Sequence, residues 1–390
     1  MTLLLRFRLI WPVLACGFIY HPAMFAEALP ADGTMTVYFG TYTGARSKGI
    51  YVSRFDTATG RLTAPELAVA TASPSFLALH PNRRFLYAAG ETSILNGKRV
   101  GAVAAFSVNA KTGRLTLLNR QSSGGEGPCH LAVDATGQCL LVANYGDGSI
   151  AALPIQADGG LAKPATVIQH QGSSVNPTRQ AGPHAHFIIP DPANRFALVC
   201  DLGLDQVLVY RFDPAKAALV PNDPPFASVK PGSGARHLAF HPSGRFVFLS
   251  SEMGSTLTAF AYDAKRGALK ELQTISMLPT TFAGNSAGAE VQVHPNGKFV
   301  YASNRGHNSI AIFSCDASNV KLTYVEHQDT QGKIPRHFAI DPTGQWLLAE
   351  NQNSDSVVVF RVDANTGRLS ATGQTVSVGA PVCAIFAPAQ

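Results

Sequence analysis

The chain repeats one phrase seven times: an apolar strand, a tight turn, a second apolar strand, a polar loop, then a third strand ending in Asp and a Gly-type turn. The fifth copy spans residues 290–322 and the sixth 336–369. Copies recurring at roughly 50 residues are units that cannot bury their apolar faces alone, so they stack side by side. The turns His241-Pro242-Ser243-Gly244, His294-Pro295-Asn296-Gly297 and Asp341-Pro342-Thr343-Gly344 recur at one place in the phrase. Pro presets φ there and Gly tolerates positive φ. His80, His241 and His294 are therefore read as turn residues. The third strands, such as 207–213 and 357–363, alternate β-branched and aromatic residues before their turns, a strand signature. No segment carries a sustained helical period.

The chain ends imply closure. Residues 382–388 match a first strand with nothing after it, and residues 36–41 match a second strand with no first strand before it. Pairing the two removes an open sheet edge. The expected fold is all-β: a seven-bladed β-propeller of four-stranded antiparallel blades, its ring closed by the C-terminal strand joining the N-terminal blade. One ring absorbs 390 residues, a length that would otherwise suggest two or three domains.

Arg6 and Arg8, a mostly apolar stretch over 9–18, and Ala26-Glu27-Ala28 read as an export signal over 1–28. That leaves 29–390 as one propeller domain, periplasmic or secreted, with no membrane span once the signal is removed. An uncleaved leader acting as a membrane anchor is the rival reading, though the stretch is short for a spanning helix. The net charge of +6 is dispersed without a Lys/Arg run, which argues against a nucleic-acid partner. After the leader, Cys129, Cys139, Cys200, Cys315 and Cys383 are odd in number and lack CxxC spacing. They read as small buried hydrophobes, not as a disulfide framework or a zinc site.

First and second strands are antiparallel, so the start of one and the end of the other share a face of the ring. Aligning the copies puts Phe76, His130, His186, His237, Glu290, His337 and Cys383 at the start of the first strand. The preceding column contains Arg236 and Arg336. Just past the second strand lie Tyr42, Glu91, Tyr145, Leu202, Glu252, Arg305 and Gln352, and just before that column Asn144, Asp201, Asn304 and Asn351. Polar groups converging on one channel mouth are costly without partners, which favours a ligand site. Paired arginines suit an anionic or oxygen-rich ligand, and His with Glu can handle protons near neutral pH. His184 and His186 are spaced as zinc ligands can be, but no third ligand stands out and the arginines would repel a cation. No GxSxG elbow is present.

At these positions the chain resembles the seven-bladed lactonase family, which groups propeller-type 6-phosphogluconolactonases with carboxymuconate lactonising enzymes. The landmarks are Gly182-Pro183-His184-Ala185-His186, residues 235–242, Ser251-Glu252, residues 303–307 and Pro335-Arg336-His337. The resemblance implies a lactone site that uses no metal or other cofactor, with His186, Glu252, Arg305 and Arg236 as catalytic residues. His184, His237, Glu290, Asn304, Arg336, His337 and Asn351 are expected around the substrate. His186 is the expected base, and Glu252 either orients the water or protonates the leaving oxygen. The expected ligand is a small sugar lactone, phosphorylated or free. A muconate-type cycloisomerase and a non-catalytic envelope binding protein are the alternatives.

Overall fold

The structure, a computed structural model, describes residues 33–91, 94–95, 98–99, 101–316 and 318–388. The export signal expected over 1–28 lies outside these residues. Seven antiparallel sheets follow one another around a ring. Blade 4 shows the plan: Ala185–Pro190 is innermost, then Phe196–Asp201, Gln206–Asp213 and Ala218–Ser228 outward. Only two short 3-10 turns, Pro214–Lys216 and Gln352–Ser354, interrupt the strands among the described residues. No helix among them is long and apolar enough to cross a membrane.

Blade 1 closes the ring as expected. Pro381–Pro388 is its innermost strand and pairs with Thr34–Thr41, Val37 opposite Phe386 and Phe39 opposite Ala384. The two strands come from opposite ends of the chain, so the ring shuts like a clasp. Its outer strand is split into Arg61–Leu62 and Glu66–Ala70.

The core is distributed. Seven apolar clusters fill the seven seams between adjacent blades. At the seam of blades 7 and 1, buried Trp346 packs edge-on to Phe55 and donates its indole N–H to Thr57 O at 2.8 Å. The turn histidines hold other seams. His80, His241 and His294 each bond through Nε2 to a turn glycine carbonyl of the next blade, at 2.9, 3.0 and 2.8 Å. All five described cysteines are buried and unpaired.

Candidate active site

Each innermost strand carries an extra residue near its start. The pairing with the second strand skips from Pro74 to Phe76, Pro128 to His130, Ala185 to Phe187, Ala235 to His237 and Pro335 to His337. Blades 1 and 6 break register at the same level. A β-bulge re-aims the extra side chain. Two rings of side chains result, one residue apart. The bulge ring is Ser75, Cys129, His186, Arg236, Ala289, Arg336 and Val382. The ring beneath it is Phe76, His130, Phe187, His237, Glu290, His337 and Cys383.

This corrects the sequence alignment in one blade. The alignment puts His186 in the column of His130 and His237, but Phe187 occupies that place. Its ring lies 3.9 Å from that of His130 and 4.7 Å from that of His237. His186 is the bulged residue, level with Arg236 and Arg336, and so reaches the mouth.

The mouth is a cavity of about 290 Å³ lined by Tyr42, Glu91, Cys129, Tyr145, Arg179, His186, Glu252, Arg305 and Arg336. Glu252 organises it. Its Oε1 accepts from Arg179 Nη2 at 2.7 Å, and its Oε2 from Arg236 Nε at 3.0 Å and lies 2.8 Å from Arg305 Nη2. Burial alone would raise the Glu252 carboxyl, but Arg305 and Arg236 overcome this and hold it well below the usual range. An ionised Glu252 has no proton for a leaving group; it can fix guanidiniums. Burial, reinforced by Arg236, pushes the His186 imidazole well below its ordinary value. It is therefore neutral near pH 7 and free to accept a proton. Burial and then repulsion from Arg305 and Arg336 bring Arg236 down to about 9.

Of the residues expected from sequence, His186, Glu252, Arg305 and Arg336 line the cavity, and Arg236 is buried behind Glu252. The others are elsewhere. His184 stacks on the Tyr145 ring and bonds Tyr145 O through Nδ1 at 2.8 Å. His237 bonds Glu290 at 2.9 Å and His337 bonds Glu350 at 2.8 Å, both in the ring beneath. Asn304 and Asn351 donate Nδ2 to Met277 O and Thr330 O on the connection arriving from the previous blade. Asn144 does the same with Ser123 O. This column ties blades together just behind the cavity wall.

Arg179 was not foreseen. It sits between the strands Thr166–Gln169 and Ala185–Pro190, on a connection that aligns with no repeat. Buried Gln180 anchors that connection through Leu202 O and Asp205, and Asn176 Oδ1 accepts from Arg179 N. Glycines let it lie flat: a Cβ on Gly203 would meet Gly182 O at 2.0 Å, and one on Gly148 would meet Pro183 O at 2.4 Å. Arg179 thus reaches Glu252 and the Tyr145 hydroxyl, at 3.0 Å, from outside the ring. Tyr42, which donates to Glu91 at 2.9 Å, completes the opposite wall.

A neutral imidazole beside guanidiniums fixed on a carboxylate, at one mouth of a seven-bladed ring, defines a propeller equipped to bind and polarise an oxygen-rich ligand. The chain belongs to the seven-bladed β-propeller lactonase family, whose model, "Lactonase, 7-bladed beta-propeller", matches residues 36–386. It is 37% identical to a Bacillus subtilis 6-phosphogluconolactonase, over 90% of this chain and 97% of that one. It is 33% identical to a 6-phosphogluconolactonase of Formosa agariphila, over 78% and 86%. Among solved structures it is similar to a periplasmic gluconolactonase of Pseudomonas aeruginosa, with a TM-score of 0.86 and 35% identity, covering 92% of this chain and all of that one.

Proposed function

We propose that this chain is a carboxylic ester hydrolase that opens a sugar lactone of the gluconolactone type, phosphorylated or free, in the mouth of its propeller. The observation that carries the reading is the neutral His186 beside Arg305 and Arg336 in one cavity, in a chain of the lactonase family. Four guanidiniums (Arg179, Arg236, Arg305 and Arg336) face two carboxylates, Glu252 and Glu91. The positive surplus suits a substrate that is anionic or becomes so during reaction.

Ester hydrolysis needs a proton acceptor, a water and stabilisation of the tetrahedral oxyanion. His186 accepts the water's proton. Arg305 and Arg336 donate to the carbonyl oxygen as it gains charge. Glu252, kept ionised, holds Arg179, Arg236 and Arg305 in place. The protonated His186 then returns its proton to the ring oxygen as the C–O bond breaks. His184, Asn304 and Asn351 support the wall, and His237, Glu290 and His337 its floor. The relatives' names, 6-phosphogluconolactonase and gluconolactonase, support hydrolysis over the cycloisomerase and binding-only readings. The export signal expected from sequence over 1–28 and the periplasmic neighbour support a site of action outside the cytoplasm.

The test is a panel of lactones followed by proton release, free and phosphorylated sugar lactones side by side, with and without chelator. Turnover of a sugar lactone that chelator leaves unchanged is expected. Failure on every lactone would overturn the proposal, and chelator-sensitive turnover would overturn the metal-independent mechanism.

A further inference from the structure

A second, smaller space lies on the ring axis below the mouth. It is lined by Ser75, Cys129, His186, Arg236, Arg336 and Val382 of the bulge ring, with three residues of the ring beneath. Cys129, His186 and Arg336 also line the mouth cavity, so the two spaces adjoin. The chamber offers about 10 Å³ to the centre of a water-sized molecule. One water needs about 10–15 Å³ on this measure and two to four polar partners.

The partners are present. Ser75 Oγ, His186 Nδ1 and Arg236 Nη1 are all buried and have no hydrogen-bond partner among the described residues. The residues that carry them are 5%, 4% and 1% exposed. Leaving one such group unsatisfied is costly, and three of the residues that line this small space each carry one. A hydroxyl both donates and accepts, a guanidinium N–H donates, and a neutral imidazole nitrogen does either. Together they satisfy a single water. Phe76, Cys129, His237, Arg336, His337 and Val382 complete the wall, and the small volume leaves no room for a larger polar molecule.

We propose that this chamber stations the nucleophilic water of the reaction, held by Ser75 Oγ and Arg236 Nη1 and deprotonated by His186. The proposal rests on the lactonase reading above. The water's oxygen attacks the lactone carbonyl carbon from below while His186 takes its proton. The tetrahedral intermediate then collapses, the ring C–O bond breaks, and His186 returns the proton to the ring oxygen. Lactone and water become hydroxy acid, with nothing else consumed. Ser75 is thereby a positioning residue that the family landmarks do not include.

The decisive experiment uses the unaltered protein with gluconolactone in aqueous methanol, products read by NMR. A nucleophile drawn from a one-water chamber excludes methanol, so the enzyme should form gluconate and no methyl ester above the uncatalysed background. Enzyme-dependent methyl ester would mean attack from the open cavity and would overturn the proposal while leaving the lactonase reading intact. No turnover at all of any lactone would overturn the lactonase reading itself, and this proposal with it. Two variants give a second readout. Ser75→Ala should slow kcat roughly 5- to 10-fold, about the value of one hydrogen bond, with KM unchanged. Ser75→Val, which also fills the chamber, should slow it by roughly 100-fold or more, the scale of lost proton-transfer catalysis. Unchanged kcat in a folded Ser75→Val variant would contradict the proposal.

Discussion

The bulge ring and the ring beneath it are neighbours in sequence at every blade, yet they differ in what they can do. The lower ring is largely aromatic and its polar groups have partners: Phe76, His130 and Phe187 pack ring against ring, His237 bonds Glu290, and His337 bonds Glu350. The bulge ring carries His186, Arg236 and Arg336, with buried polar atoms left unpaired. Similar residue types in similar burial form the floor in one ring and the proposed chemistry in the other. One extra residue per strand decides which, because it turns a side chain toward the mouth that regular pleating would point elsewhere.

The largest effect that would sharpen this contrast is expected at Arg305. Arg305→Ala removes a proposed donor to the oxyanion, and such losses typically reduce kcat by roughly 100- to 1,000-fold. A melting curve near that of the unaltered protein should accompany the loss; normal turnover would remove Arg305 from the mechanism. Arg179→Ala comes next. Its bonds to Glu252 and Tyr145 are lost, but Glu252 keeps Arg236 and Arg305, so no buried charge is stranded and the cost is about 10-fold or somewhat more. That cost should appear mainly in KM. The pH profile is a third probe. The proposed base must be neutral to work, and His186 protonates only well below the ordinary histidine range. The rate kcat/KM should therefore stay level as pH falls through 6.5 and decline only in more acid solution. A decline centred near 6.5 would point to an exposed histidine instead. The smallest effect on catalysis is expected at Asn351. Asn351→Ala removes the bond to Thr330 O and should lower stability by about 1–3 kcal/mol in a denaturant titration, with kcat/KM retained. A large catalytic loss there would break the contrast between wall and site.

The architecture could be read from the sequence because each blade solves the same burial problem. The turn histidines and the clasp between residues 36–41 and 382–388 follow directly from the repeat. The site was legible in part. His186, Arg236, Glu252, Arg305 and Arg336 do converge on the mouth and its inner wall. His186 was misplaced by one column because it looks like its neighbours chemically. A constant spacing held the answer: the lower-ring residue stands four before the turn residue, as His237 before His241 and Glu290 before His294. Counting back from Asp191 gives Phe187. Arg179 was hidden because it lies on a connection outside the repeat. The ionised state of Glu252 was hidden because it depends on three guanidiniums converging from different parts of the chain.

The most direct measurement compares two buried histidines, one from each ring. His130 and His186 are both held neutral by burial, but only His186 touches the cavity. Each is replaced by Phe, and kcat/KM on gluconolactone is measured beside a melting curve. His186→Phe should lose about 100-fold or more in rate. His130→Phe should turn over near the unaltered rate and lose only stability, since its Nδ1 accepts from Ile188 N at 3.3 Å. Equal losses, or a loss confined to His130→Phe, would contradict the assignment of chemistry to the bulge ring.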